Sequence, residues 1–291
     1  MTPLEQFLLR AEALLQRVEA VLPPGFPREP DWKRSHAFRW RKRSGGASYL
    51  QPVTHVSPIS LGDLHNIERQ KQQIEQNTRQ FVQGRPANNV LLTGARGTGK
   101  SSLVKALLTD LADEGLRLVE VDKADLTELP EISELLRARP ERFVIFCDDL
   151  SFDADEPGYK ALKVALDGSV AAAAENMLIY ATSNRRHLMP EFMAENLETR
   201  YVGDEIRPGE TTEEKVALSE RFGLWLSFYP FDQDAYLDIV RHWLASFGVT
   251  RLSPQARLAA LQFALARGSR SGRVAWQFAR DWAGRQALRR A

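Results

Sequence analysis

The spacing of apolar positions changes repeatedly along this chain, and each change marks a unit. Residues 3–22 place Leu4, Phe7, Leu8, Ala11, Leu14, Leu15, Val18 and Val21 at helical intervals with Glu, Gln and Arg between them. That predicts an amphipathic helix stopped by Pro23-Pro24-Gly25. Its apolar stripe suits docking on the main domain or a neighbouring subunit, the alternative being a membrane surface. Residues 23–58 have no sustained period and are rich in Pro, Gly, Ser and basic side chains, the pattern of a linker or extended arm. Helical spacing returns over residues 61–83 with Leu64, Ile67, Ile74 and Phe81, and Gly84 and Pro86 end it. From residue 88 onward, short continuous apolar runs at 90–92, 118–121, 143–146, 177–180 and 224–228 alternate with helix-length connections. Such runs predict a parallel sheet covered on both faces, and right-handed crossovers make it a doubly wound α/β core of five strands. Beyond Pro230 the strands cease. Residues 234–247, 253–267 and 271–289 read as amphipathic helices, the second opened by Ser253-Pro254 as cap and first-turn proline. The chain thus divides into a helix (1–22), an arm (23–58), an α/β domain (59–229) and a small helical domain (230–291).

Composition narrows the setting. The 291 residues are 43% hydrophobic and 26% charged, with a formal net charge of +1, so no global field argues for nucleic acid or membrane. The single cysteine, Cys147, excludes an internal disulfide and reads as a core residue of a cytoplasmic protein. No apolar run approaches the roughly 20 residues that span a bilayer, and the N-terminus lacks a secretory pattern. Within the arm, Lys33, Arg34, Arg39, Arg41, Lys42 and Arg43 alternate with Trp32, Phe38 and Trp40. Such a segment either binds nucleic acid through cations and stacking rings, or wraps an acidic surface with its rings buried.

The chemistry concentrates at Gly94-Ala95-Arg96-Gly97-Thr98-Gly99-Lys100-Ser101-Ser102. G-x-x-x-x-G-K-S between a strand and a helix is a phosphate-binding loop. Its glycines turn backbone N–H groups toward phosphates, the helix start adds positive potential, Lys100 supplies a point charge and the Ser101 hydroxyl ligates Mg²⁺. The run 143–147 then delivers Asp148 and Asp149 to the sheet edge where ligands bind. Asp148 is placed to hold magnesium through water, and Asp149 to orient or deprotonate an attacking water.

These features together resemble the AAA+ superfamily of ring-forming ATPases, and more narrowly an uncharacterised bacterial family of predicted AAA+ ATPases. The likeness runs from about Pro52 to the end, through LGDLHNIERQK, PANNVLLTGARGTGKSSLVK, FCDDLSF, IYATSNRRHLMPE and LSERFGLWLSF. It implies that Asn184, closing the strand after the acidic one, is a polar sensor of the attacking water or γ-phosphate. Arg221 resembles the arginine finger that reaches a neighbouring subunit's nucleotide, with Arg200 the fallback. Arg273 in RSGRVA resembles the second sensor, in competition with Arg270. Ile67 would wall the adenine pocket.

Two departures bear on function. The acidic strand ends Asp-Asp where most relatives have Asp-Glu, and residues 122–127 lack the aromatic-apolar-glycine pore loop of protein unfoldases. The resemblance implies an ATP- and magnesium-dependent hydrolase, a homo-oligomeric ring (a hexamer), that works on a macromolecular client. The alternative is a nucleotide-gated switch or scaffold with little turnover, one form of it associated with nucleic acid through residues 33–43. A small-molecule P-loop kinase is a third reading, with no acceptor pocket to support it.

Overall fold

The structure, a computed structural model, describes Glu12 and residues 30–43, 46–152, 156–167, 174–185, 188, 200–202, 205–207 and 218–290. Apart from Glu12, the residues of the helix expected over 3–22 lie outside them. In chain order the elements are β1 (Ala37–Arg43), β2 (Gly46–Pro52), α1 (Glu68–Val82), β3 (Val90–Gly94), α2 (Lys100–Leu111), β4 (Leu116–Glu120), α3 (Leu129–Arg137), β5 (Arg142–Cys147), α4 (Pro157–Asp167), β6 (Met177–Ser183), β7 (Arg200–Val202), β8 (Glu205–Arg207), β9 (Leu224–Phe228), α5 (Gln233–Ser246), α6 (Pro254–Ala266) and α7 (Gly272–Arg290).

The five expected strands form the parallel succession β4-β5-β6-β3-β9. Their continuous apolar runs are explained by burial on both faces. Val90, Leu92, Val144, Phe146, Leu178 and Tyr180 pack toward α1, α2 and the C-terminal helices. Their alternating neighbours Leu91, Phe143, Ile145, Cys147, Ile179 and Ala181 pack toward α3 and α4. Burial pushes the Cys147 thiol up to about 12, with Asp148 adding to it, so it stays protonated and inert. The three C-terminal helices stand where the spacing puts them. Asp232 caps α5 by accepting from the Ala235 N–H at 2.8 Å, and Ser253 caps α6 by accepting from the Ala256 N–H at 3.1 Å. Among the described residues no helix is long and apolar enough to cross a membrane.

Two expectations need correction. The helical stretch from residue 61 is a 3₁₀ turn (Leu61–Asp63), and α1 begins only at Glu68. The Asp63 carboxylate folds back to accept from Ser60 N–H and Oγ at 2.8 and 2.9 Å, and Asn66 takes a left-handed φ of 63°, which no helix continues through.

The second correction concerns the arm. Residues 37–52 are not a linker but a hairpin that extends the sheet to seven strands, in the order β2-β1-β4-β5-β6-β3-β9. β1 pairs parallel to β4, and β2 antiparallel to β1. Phe38 and Trp40 point inward and are 1% exposed, and Trp32 is buried with them. Between these, Arg39 pairs with Glu120, Arg41 with Asp122 and Lys42 with Glu128. The rings that would stack nucleic-acid bases are therefore covered, and these cations are matched by acids of the core. Arg117, itself buried, donates twice to the Trp32 carbonyl at 3.0 and 2.8 Å and pins the approach to the hairpin.

Glu128 is the hub of this attachment. It accepts from Lys42 Nζ at 2.7 Å, Ser48 Oγ at 2.7 Å and Trp40 Nε1 at 2.6 Å. Bonds from Lys42 and Ser48, joined by Trp40, outweigh burial and hold its carboxyl at about 2. A depressed carboxyl contributes stability above its unfolded value, and that contribution disappears as pH falls through the folded one. Glu128→Gln should therefore cost about 1–2 kcal/mol at neutral pH, after allowance for the exposed ammonium. The gap to wild type in thermal unfolding should shrink between pH 4.5 and 2. A pH-independent gap would show that the hairpin is held by packing alone.

Candidate active site

Strand order brings the candidate residues together. β6 lies between the β3 strand that leads into the loop and the β5 strand that carries the acids, so three strand ends open side by side onto one cleft of about 780 Å³. The loop leaves β3 through Gly94, whose φ of 123° and tight approach to β9 exclude any side chain: a Cβ there would lie 1.9 Å from the Phe228 carbonyl oxygen. Gly97 and Gly99 also have positive φ, 76° and 105°, which turns the backbone around the loop. Thr98 Oγ1 donates to the Ala95 carbonyl at 2.8 Å and holds that turn closed.

Lys100, 5% exposed at the start of α2, donates to the Gly94 and Ala95 carbonyls at 2.7 and 2.8 Å and to Asn184 Oδ1 at 3.1 Å. All three ammonium donors are thus spent on oxygens lining the loop. Burial pulls its pKa below the usual lysine range; Asp149 and Asp148 oppose this, and Arg273 and Arg96 reinforce it. From there a continuous circuit runs along the rim. The Asn184 amide donates to Asp149 Oδ1. The Asp149 N–H donates to Thr182 Oγ1 at 2.8 Å, the Thr182 hydroxyl donates to Asp148 Oδ1 at 2.6 Å, and the Ser101 hydroxyl donates to the same oxygen at 2.6 Å. Asp149 holds a left-handed φ of 53°, a conformation aspartate tolerates better than most residues but which still costs free energy.

The expected site residues sort cleanly. Arg96, Gly97, Thr98, Gly99, Lys100, Ser101, Ser102, Asp148, Asp149, Asn184, Arg273 and Ile67 all line the cleft, whereas Gly94 and Ala95 shape the loop behind it. Of the two rival arginines, Arg273 is in the cleft and Arg270 faces a neighbouring groove. Arg221 is outside, paired with Asp167 at the end of α4; the side chain of Arg200 is not described. Thr182 is the residue the sequence reading missed as a participant: a threonine near a strand end looks like ordinary β-former chemistry, and only the strand order shows that it bridges the Asp148 carboxylate and the Asp149 backbone N–H. The helical domain closes directly onto the loop. The Arg273 N–H approaches the Gly97 carbonyl at 3.4 Å, and a Cβ on Gly97 would meet Ser271 Oγ at 2.8 Å. The cleft is also lined by apolar side chains, Ile59, Leu64 and Ile67 from the core and Ile239, Trp243 and Trp276 from the helical domain, beside Asp63 and His65.

A family model described as "Protein of unknown function (DUF815)" matches residues 33–286. The chain belongs to the DUF815 family. No protein of curated function matches it. Among solved structures, this DUF815 protein is similar to the replication initiator DnaA bound to AMPPCP and single-stranded DNA. The TM-score there is 0.51, with 15% identity over 77% of this chain and 65% of that one. It is also similar to the Aeropyrum pernix Orc1 protein in complex with DNA, at a TM-score of 0.51 and 17% identity over 78% of this chain and 62% of that one. Thermotoga maritima RuvB aligns at 16% identity over 77% and 72% of the two chains, with a TM-score of 0.40. By its likeness to DnaA and Orc1, the DUF815 protein has the fold of the AAA+ ATPases.

Thr182→Val keeps the side-chain shape but leaves the Asp149 N–H unbonded and Asp148 Oδ1 with Ser101 alone. It should cost about 1–3 kcal/mol, seen as a lower denaturant midpoint at unchanged slope, with Thr182→Ser recovering most of it. A midpoint unchanged in Thr182→Val would dismiss the circuit as an organising element.

Proposed function

We propose that this DUF815 protein is a magnesium-dependent ATPase of the AAA+ type that couples hydrolysis to movement of its helical domain and so acts on a macromolecular partner. The observation that carries the reading is the hydrogen-bond circuit at the phosphate end of the cleft, which orients an ammonium, a hydroxyl, two carboxylates and an amide about one space.

The residues fit the nucleotide and its cation. Positive φ at Gly97 and Gly99 supports a loop whose N–H groups turn toward an anion. Lys100 would exchange carbonyl acceptors for phosphate oxygens, a change favoured by charge. Ser101 and Asp148 present hard oxygens, and among the described residues no three His, Cys, Asp or Glu side chains are grouped to cage a metal. A magnesium ion would thus take few ligands from the chain and keep phosphate and water for the rest, as that ion prefers. ATP supplies the phosphoanhydride bond that is cleaved. Asp149, already hydrogen-bonded to Asn184, is the base for the proton of a water nucleophile, and the Asn184 amide orients that water. Arg273 adds positive charge from the helical domain.

Arg221 stands away from its own cleft, and we assign it to the cleft of a neighbouring copy in a homo-oligomeric ring, with hexamer as the working stoichiometry. A reducing cytoplasm suits the buried thiol of Cys147. One observation favours a second reading, a nucleotide-gated switch: Asp149 is a methylene shorter than the usual glutamate and its backbone is constrained, which would slow proton transfer.

Wild-type protein should release phosphate from ATP only with magnesium, and Lys100→Ala and Arg221→Ala should each reduce that rate by about 100-fold or more. Mixing the two variants should restore part of the activity, because an Arg221→Ala cleft then meets an intact Arg221 on its Lys100→Ala neighbour. Tight ATP retention without phosphate release would select the switch. No magnesium-dependent affinity for ATP at all would overturn both readings.

A further inference from the structure

α6 is built the wrong way round for a helix that faces water. It buries its alanines, Ala256, Ala260 and Ala264, against the rest of the helical domain, whereas Leu258 is 59% and Leu265 82% exposed. The polar residues of α6 are Gln255, Arg257 and Gln262 alone. A helix apolar nearly all round is normally covered on every side. Leu258, the partly buried Leu261 and Leu265 stand three and then four residues apart, the spacing of a coiled-coil seam. The seam borders a groove of about 670 Å³ that Leu261 and Leu265 share with Pro230 and with Arg96 of the phosphate loop.

A segment with the matching period lies in the same chain. Leu4, Ala11 and Val18 repeat every seven residues, and so do Phe7, Leu14 and Val21. A seven-residue period kept over three heptads seats a helix against another helix. Glu5, Glu12 and Glu19 repeat beside the stripe at the same interval, and Glu12 is helical and exposed. A row of acids is repelled by an anionic bilayer, which selects basic helices. It suits residues 230–291, which hold ten arginines and four aspartates and no lysine or glutamate. Reach points to a neighbouring copy. Trp32 packs on Phe143 at the start of β5, diagonally across the sheet from the groove, which opens beyond the ends of β3 and β9. Residues 23–29 span at most about 25 Å fully extended. The diagonal itself, at about 4.8 Å per strand and 3.3 Å per residue, is already that long through the core, and a path around the domain is longer.

We propose that the amphipathic helix of residues 4–22 docks along the Leu258-Leu261-Leu265 seam of α6 in a second copy of this chain. The proposal rests on the homo-oligomeric reading above and names a contact for it. The leucines that one chain leaves open are covered by the stripe that another supplies, and the acidic row meets a domain of positive charge.

The test uses the full chain and a labelled peptide of residues 2–24. Phe7→Gln with Leu14→Gln weakens the helix and leaves the seam vacant, so this variant should bind the peptide. Adding Leu258→Gln and Leu265→Gln should weaken that binding at least tenfold; both leucines are exposed, so the fold survives. Each pair alone should shift wild-type assemblies toward smaller species in sedimentation. All four together should do no more than either pair, because both pairs remove one contact. Wild-type assembly that survived both pairs would overturn the seam and leave the oligomeric reading standing. Peptide that bound the quadruple variant equally well would also overturn it. So would peptide that paired only with itself, or that bound only vesicles of phosphatidylcholine and phosphatidylglycerol. Wild-type protein that sedimented as a monomer would instead bring down the oligomeric reading, and this contact with it.

Discussion

Two hydroxyl groups donate to one carboxylate oxygen, Asp148 Oδ1, and much of the rim is organised around that oxygen. Ser101 brings the start of α2, Thr182 brings the end of β6, and Asp148 itself follows β5. The parallel sheet makes the meeting possible, because parallel strands end on the same edge and β6 separates the other two. A carboxylate that accepts two hydrogen bonds is held in one rotamer, and the N–H of its successor is fixed by the same Thr182 hydroxyl. Asp149 is then committed to its left-handed backbone and to Asn184. The constrained conformation at Asp149 is a cost that the surrounding bonds offset, as expected where geometry serves chemistry.

Much of this was legible in the chain alone because the relevant signals are local. Five apolar runs and a glycine-lysine-serine loop need no tertiary knowledge to be read, and Asp148 follows from the loop by the logic of the fold. What the sequence could not disclose depended on neighbours distant along the chain. Thr182 gains its role from standing between strands that precede and follow it in space but not in order. The choice of Arg273 over Arg270 is a matter of helical phase and of where Ser271 meets Gly97, a contact that joins residues far apart in sequence. Arg221 shows the reverse: the resemblance supplied a role, and the single chain pairs it with Asp167 outside the cleft.

The hairpin is the instructive miss. Residues 37–43 do alternate, with Phe38 and Trp40 inward and Arg39 and Arg41 outward, which is the period of a strand. The run is short and flanked by glycine, serine and proline, and its cations drew attention to external anions. The anions were internal. Glu120, Asp122 and Glu128 lie some eighty residues downstream on β4 and the turn after it, so the charge match appears only once β1 is laid beside β4. The same match gives the segment after β4 a fixed partner, in the place where unfoldases have a pore loop.

The contact at Gly97 has a mechanical side. A glycine there lets the start of α7 approach the loop until the Ser271 and Arg273 side chains occupy the space that a Cβ on residue 97 would need. Beyond that contact α7 buries Val274, Ala275, Phe278 and Ala279 in the same apolar cluster as Tyr236 and Val240 of α5 and Ala260 of α6, so a load on its first turn is borne by three helices and not by one.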